Sequence, residues 1–224
     1  AGSEALTGEQ GRGDLGEMLT WPHPWCEPFR SLLAHPVILP RLIELLGEGC
    51  RLDHLYGIVM RKGTEGHVLH GAGTSNDLTH FYRFHNGHMR CGLTVVSWIL
   101  TDCGPGDGGF ACVPGSHKAR YPMPAGVRTC DDDLGVVLQP ELQAGDVLFF
   151  MDGAQTHGTL TWKSATPRRS VLFKYASGTA TRSGVSTRLA PPEIYWDEEI
   201  VEGMSAVRSL HQHRRGQGCP EGGR

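Results

Sequence analysis

Histidine is the residue type in this sequence that most clearly suggests chemistry. The 224 residues include 12 His, and six of these lie between positions 67 and 117. A neutral imidazole is the commonest protein ligand of transition metals, and the strands of a small β-barrel can aim several such ligands into its mouth. Any single His is more commonly a surface or core residue, so only a His with a favourable placement is a candidate ligand.

His157 has such a placement. It follows the apolar run VLFFM and a turn at 152–155, so it begins a second strand directly after that turn. A side chain at this point is held by the sheet and is open to a cavity. Arg168 lies eleven residues further on, at the start of another strand, where a guanidinium could clamp the carboxylate of a co-substrate. The ordinary alternative is that Arg168 and Arg169 lie on an exposed strand end.

Strands separated by turns make up most of the sequence that must position these residues. The segments rich in β-branched and aromatic residues are 54–62, 92–102, 109–113, 146–151 and 169–175. Apolar residues at helical spacing predict two helices between Pro28 and Gly47 and another within 191–210. No long helices alternate with the strands, which argues against a parallel sheet and favours an antiparallel barrel or sandwich.

Composition and charge exclude several classes of protein. The chain is 39% hydrophobic and 20% charged, with 31 Gly and 14 Pro, which is typical of a turn-rich globular domain and excludes a fibre or a coiled coil. A net charge of −3 offers no general attraction for nucleic acid or an anionic membrane. The seven Cys contain no CxxC pair, so we expect neither a disulfide framework nor a zinc knuckle, and we predict a cytoplasmic location.

The predicted domain organisation is simple. Residues 1–20 are rich in Gly and Glu and lack periodicity, which predicts a mobile N-terminal arm. Residues 21–210 are expected to form one domain, and residues 211–224 a loose tail. No apolar run approaches the roughly 20 residues that cross a bilayer.

Four segments together resemble a known family. They are GLTVVSWILTD (92–102), GDGGFACVPGSHK (106–118), AGDVLFF (144–150) and THGT (156–159), followed by the Arg pair at 168–169. They are similar to the phytanoyl-CoA dioxygenase family of non-haem iron, 2-oxoglutarate-dependent oxygenases, over about residues 28–180. The resemblance implies a mainly β fold, a cupin-like double-stranded β-helix (jelly roll) with N-terminal and C-terminal flanking helices. It also implies Fe(II) at the mouth of the jelly roll, chelated by 2-oxoglutarate.

The resemblance assigns roles by motif position. His157 matches the distal iron ligand, and Arg168 matches the residue that pairs with the far carboxylate of 2-oxoglutarate. Thr159 matches a hydroxyl residue that supports the same carboxylate, and Trp98 lies on the strand that walls the pocket. Arg169 should point to the opposite face from Arg168, because successive side chains of a strand alternate.

The sequence departs from the family at the first iron ligand. The family pattern there is His-x-Asp, and this sequence has no His-x-Asp or His-x-Glu. Two replacements compete: His70 with Ala72 two residues later, and His85 with Gly87. Their separations from His157 are 87 and 72 residues, and the first is closer to the family's usual spacing, so we favour His70.

The missing carboxylate bears on the reaction. Iron and 2-oxoglutarate halogenases resemble this pattern, because they have His-x-Ala or His-x-Gly and a chloride takes the vacant position. The resemblance therefore implies an enzyme that oxidises an unactivated C–H bond of a small molecule, with halogenation slightly favoured and chloride as a third cofactor. Arginines in the predicted mouth loops favour an anionic substrate: Arg120, Arg128, Arg182 and Arg188.

Two alternatives stay open. A carboxylate from elsewhere, with Asp77 the nearest in sequence, would make the protein an ordinary hydroxylase. The protein could also be a non-catalytic jelly roll that binds a small molecule or a structural metal. A structural metal would need closed coordination and no carboxylate clamp, so the presence of both His157 and Arg168 argues against this alternative.

Overall fold

Strands dominate the computed structural model, which describes residues 6–7, 13–71, 81–119 and 121–177. The helices are α1 (Glu27–Leu32), α2 (Leu39–Leu46) and α3 (Ala125–Thr129), with one 3₁₀ turn at Ser116–Lys118. The strands are β1 (Leu6–Thr7), β2 (Gly13–Leu15), β3 (Arg51–Met60), β4 (His67–His70), β5 (Tyr82–His85), β6 (His88–Cys91), β7 (Thr94–Ile99), β8 (Gly109–Cys112), β9 (Val147–Met151), β10 (His157–Leu160) and β11 (Arg168–Ala176).

Six strands form the larger sheet, in the order β1-β2-β3-β11-β7-β9, and every neighbouring pair is antiparallel. The long strand β11 lies between β3 and β7, so its backbone is hydrogen-bonded on both sides. Its register places Arg168 opposite Met60 of β3 and Lys174 opposite both His54 of β3 and Val95 of β7. The backbone of β11 is therefore held on both sides from Ser170 to Tyr175 and by β3 alone at Arg168.

A smaller sheet of three antiparallel strands faces the larger one, in the order β4-β10-β8. The strands β5 and β6 form a separate hairpin. Between the two main sheets lies one apolar cluster to which both contribute: Ile58, Met60, Val95, Leu172 and Phe150 from the larger sheet, and Phe110 and Cys112 from the smaller one. This two-sheet antiparallel arrangement around a shared interior is the predicted jelly roll, and the mainly β prediction is confirmed.

The outer face of the larger sheet is covered by the N-terminal helices, as the sequence predicts. Leu33, Leu42 and Leu46 pack there against side chains of β7 and β11 such as Val96 and Phe173. Each helix has Pro in its first turn, where the missing N–H costs no hydrogen bond. None of the helices in the described part of the chain is long and apolar enough to cross a bilayer.

The boundary predicted at residue 20 needs correction. Strand β2 pairs with β3 in the larger sheet, and Met18 and Leu19 are buried in the core beneath the helices. Residues 13–20 thus belong to the folded domain rather than to a mobile arm, because two large apolar side chains leave water there. The helix predicted within 191–210 and the tail at 211–224 lie outside the described residues.

Candidate metal and co-substrate site

His70 and His157 meet across the smaller sheet. They are direct register partners in the β4–β10 pair, and their ring centroids are 4.3 Å apart. The Nδ1 of His70 lies 3.0 Å from the carbonyl of Val68, and the Nδ1 of His157 lies 2.8 Å from the carbonyl of Gln155. In each case the Nδ1–H donates to a carbonyl two residues earlier, which leaves the Nε2 lone pair available to a metal.

Asp152 completes a cluster with these two histidines. Potential ligand atoms of His70, Asp152 and His157 all lie within 4.8 Å of one another. Asp152 directly follows β9, and its Oδ1 is 3.3 Å from the Nε2 of His157. An imidazole lone pair and a carboxylate oxygen repel each other at this distance unless a proton or a metal ion lies between them.

Charge and burial at the cluster favour metal-binding protonation states. Burial, followed by the neighbouring His157, lowers the pKa of His70 from 6.5 to about 4. Burial by itself would raise the pKa of Asp152, but the hydrogen bond that His157 donates when its Nε2 carries a proton, together with the positive charge of Lys174, holds the pKa of that carboxyl far below its usual range. At neutral pH His70 is therefore a neutral donor and Asp152 is an anion, which are the forms that bind a metal.

This donor set fits ferrous iron. Two neutral imidazoles and one carboxylate make up the facial set of non-haem Fe(II) oxygenases, which leaves the other positions to co-substrate and oxygen. Apolar rings surround the set on the interior side: the ring centroids of Phe150 and Phe110 lie 4.8 Å and 6.2 Å from that of His157. Such walls keep water away from reactive species.

Arg168 lies on the interior face of β11. Only 4% of this residue is exposed, and its Nη1 is 3.4 Å from the Sδ of Met60 in the cluster between the sheets. Gly109, at the start of β8, has a φ of +83°, and a Cβ there would come within 3.0 Å of the Nε of Arg168. A side chain at position 109 would therefore push the guanidinium out of its place. Arg169, the next residue, is exposed, as strand alternation requires.

Two hydroxyl residues share the interior with Arg168. Thr159 lies two residues after His157 on β10, on the same face of that strand, opposite Phe110. Ser170 lies two residues after Arg168 on β11, and its Oγ is buried without a hydrogen-bond partner among the described residues. A buried hydroxyl of this kind is costly unless a ligand satisfies it. Sequence reasoning selected Thr159 and missed Ser170, although its spacing from Arg168 is a usable signal.

Trp98 is not at this site, which corrects the prediction for that residue. Its indole packs in the outer cluster beneath the N-terminal helices, and its ring centroid is 5.4 Å from that of His35. On β7 the interior face carries Val95, and alternation sends Trp98 to the opposite face. A role in holding the co-substrate is therefore excluded by its position.

The alternative ligand pair is not brought to the site either. His85 lies at the tip of the β5–β6 hairpin, where it pairs with His88 and is exposed, and Gly87 forms the hairpin turn. The structure therefore brings His70, and not His85, to His157. Ala72 and Asp77, the proposed halide vacancy and the alternative carboxylate, lie outside the described residues.

Asp152 is the group that sequence reasoning missed. The sequence predicts only a turn at 152–155, and the alternative carboxylate that it suggests, Asp77, is near His70 in sequence. A usable signal was present, because an acid that directly follows an apolar strand and precedes His157 by five residues is placed at the mouth of the same cavity. Only the fold shows that the β9–β10 turn crosses the end of β4.

Comparison with known families identifies the class of protein. The phytanoyl-CoA dioxygenase (PhyH) family model matches residues 5–170, which is most of the chain. The chain belongs to this family and is thus an enzyme of the Fe(II)/2-oxoglutarate-dependent dioxygenase superfamily, as the motifs predict. Comparison with curated protein sequences finds no match.

Solved structures with the same fold are numerous. HygX from Streptomyces hygroscopicus, solved with nickel, 2-oxoglutarate and hygromycin B bound, is 22% identical with a TM-score of 0.66, over 77% of this chain and 72% of that one. AviO1 from Streptomyces viridochromogenes Tue57 is 19% identical with a TM-score of 0.55, over 81% and 75%. SnoK, a non-haem α-ketoglutarate-dependent carbocyclase from nogalamycin biosynthesis, is 20% identical with a TM-score of 0.57, over 85% and 74%. At these identities the likeness establishes the shared fold.

Proposed function

We propose that this protein oxidises an unactivated C–H bond of a small molecule, with Fe(II) held by His70, Asp152 and His157 and with 2-oxoglutarate as co-substrate. The observation that supports the proposal most directly is the convergence of two imidazoles and one carboxylate within 4.8 Å, on an interior shared with Arg168. HygX has been solved with iron bound and, separately, with nickel and 2-oxoglutarate bound, which is consistent with the same cofactors here.

The residues of this chain have separable tasks. The backbone carbonyls of Val68 and Gln155 orient the two imidazoles, and Asp152 supplies the negative charge that a divalent cation needs. Arg168 would pair with the far carboxylate of 2-oxoglutarate. When bound, Fe(II) and 2-oxoglutarate would let O2 oxidise a C–H bond, coupled to oxidative decarboxylation of 2-oxoglutarate to succinate and CO2.

Hydroxylation is the outcome we favour. The halogenation hypothesis depended on the absence of a metal-binding carboxylate, and Asp152 lies where it could fill that role. If Asp152 binds the metal, no coordination position is left vacant by a missing carboxylate for chloride to fill. The halogenation alternative keeps one supporting observation, the absence of His-x-Asp from the sequence.

Spectroscopy tests the proposal without knowledge of the substrate. Anaerobic addition of Fe(II) and 2-oxoglutarate should produce a metal-to-ligand charge-transfer band in the visible, and its absence from folded protein would favour a non-catalytic binding protein. The Asp152→Ala variant should bind Fe(II) more weakly and become responsive to chloride. The matched control is Asp146→Ala, which removes an exposed acid at the other end of β9. Chloride that perturbs the wild-type site as strongly as the variant would instead support halogenation.

The substrate class that we propose is a small molecule. HygX has been solved with hygromycin B bound, so this fold accommodates an organic small molecule in that protein. We expect candidate small molecules, anionic ones included, to be distinguished by substrate-dependent release of succinate.

A further inference from the structure

Lys174 contacts the candidate ligand set without being able to bind a metal itself. Its Nζ lies 2.9 Å from the Oδ2 of Asp152, while the other oxygen of that carboxylate, Oδ1, faces the Nε2 of His157 at 3.3 Å. All three side chains are largely buried, with exposed fractions of 13% for Lys174, 7% for Asp152 and 8% for His157. The two carboxylate oxygens therefore have different neighbours.

The fold fixes Lys174 at this place. It lies on the same face of β11 as Arg168 and Leu172, at even spacing, and that face looks into the interior between the sheets. Its ammonium lies 5.5 Å from the ring centroid of Tyr56 on the neighbouring strand β3, a cation–π distance. The ring of Tyr56 in turn stacks on that of His54 at 5.9 Å and an angle of 11°. The stacked rings of Tyr56 and His54 on β3 thus limit the movement of the Lys174 ammonium.

The backbone of Asp152 is held, but its carboxylate needs a restraint of its own. Asp152 follows β9 in the turn before β10, and its N–H donates to the carbonyl of Leu93 at 2.9 Å. This backbone bond does not fix the rotation of the side-chain carboxylate. A carboxylate free to rotate could offer both oxygens to one metal ion. A second oxygen from Asp152 would occupy a position that a chelating co-substrate requires.

We propose that Lys174 is a positioning residue that holds Oδ2 of Asp152 away from the metal, so that Asp152 binds through Oδ1 alone and leaves the co-substrate positions open. The inference rests on the proposed function of the site.

The proposal predicts an unusual separation of two affinities. Removal of the positive charge from the site should leave Fe(II) affinity unchanged or slightly higher, because the ammonium repels the metal ion and a released carboxylate can bind it with both oxygens. The affinity for 2-oxoglutarate should fall about tenfold, because the charge-assisted hydrogen bond from Lys174 to Asp152 is lost. Without it, the second oxygen of Asp152 can take a metal position that 2-oxoglutarate needs. A purely structural ion pair would instead weaken both together or only lower the melting temperature.

The experiment compares Lys174→Met with wild type in the full chain. Fe(II) affinity is measured by competition with a chelator, and 2-oxoglutarate affinity by titration of the visible charge-transfer band under anaerobic conditions. Lys174→Arg keeps a cation and hydrogen-bond donors and should restore 2-oxoglutarate affinity to within about threefold of wild type. Lys163→Met, an exposed lysine after β10, is the control and should change nothing.

A double substitution isolates the route through Asp152. In an Asp152→Ala background Lys174→Met should have no further effect on 2-oxoglutarate affinity, because the carboxylate that it positions is gone. An unchanged band and unchanged 2-oxoglutarate affinity in folded Lys174→Met would overturn the positioning role alone. A wild-type protein that forms no band with Fe(II) and 2-oxoglutarate would instead overturn the proposed function.

Discussion

His70 and His157 are separated by 87 residues in the chain and are direct neighbours in the smaller sheet, with ring centroids 4.3 Å apart. Strand β10 lies between β4 and β8, so it brings His157 to His70 on one side and to Cys112 on the other. The pairing of strands distant in sequence therefore creates the candidate metal site.

The first prediction concerns the choice between two histidines. His70→Ala should reduce Fe(II) affinity at least about 100-fold, because one of three converging donors is lost. His85→Ala, on the exposed hairpin, should leave that affinity unchanged. Titration with Fe(II) under anaerobic conditions measures both, and a larger loss in the His85 variant would contradict the assignment.

Arg168 and Arg169 offer a matched pair for the co-substrate. Arg168→Gln should weaken 2-oxoglutarate binding about 100-fold or more, because a buried charge partner of the carboxylate is removed, while Fe(II) affinity stays within about threefold. Arg169→Gln lies on the exposed face and should change neither. The titration to run is 2-oxoglutarate against the Fe(II)-loaded protein, and equal effects of the two variants would exclude Arg168 as the clamp.

Backbone geometry beside His70 gives a third prediction. Gly71 has a φ of +98°, and a Cβ there would come within 2.6 Å of the Gln155 carbonyl oxygen and 2.8 Å of that of Gly153. Gly71→Ala should therefore lower the free energy of unfolding by more than about 2 kcal/mol and weaken metal binding. Gly87→Ala has a similar φ but nothing within 4 Å, so it should cost only about 1 kcal/mol. Urea denaturation compares the two, and equal costs would show that the β9–β10 turn does not press on position 71.

The lowered pKa of His70 predicts how the stability of the metal-free protein depends on pH. Its folded pKa is about 4 and its ordinary value is 6.5, so the unfolded chain takes up the proton first as the pH falls. The stability associated with neutral His70 is thus complete above about pH 6.5 and is lost progressively as the pH falls towards 4. Denaturation of wild type and His70→Gln over this range should show the steeper loss in wild type. Parallel pH profiles would contradict the prediction.

Trp98→Phe tests the corrected position of that residue. The Nε1 of Trp98 is buried without a hydrogen-bond partner among the described residues, so the change removes no such bond there. We expect a loss of about 1 kcal/mol from poorer packing under the N-terminal helices and no change in 2-oxoglutarate affinity. A marked fall in 2-oxoglutarate affinity would show that Trp98 affects co-substrate binding after all.

Local patterns predicted part of this site and long-range pairing supplied the rest. Alternation along β11 correctly separated Arg168 from Arg169, because one face of that strand end is exposed. Alternation could not assign Trp98, because β7 is covered on both faces and its sequence is apolar on both. The jelly roll itself was predictable from turn-bounded strands and the family motifs. Asp152 was not, because its role depends on the turn between β9 and β10 crossing the end of a strand 82 residues earlier in the chain.

The anchoring of both imidazoles by peptide oxygens has an evolutionary consequence. Every amino acid carries a carbonyl, so positions 68 and 155 can change identity without altering the aim of either ring. Selection for iron binding would then leave those two positions free to drift, and their side chains could be recruited to fit new substrates. Divergent homologues should accordingly keep their histidines while varying the residues that orient them.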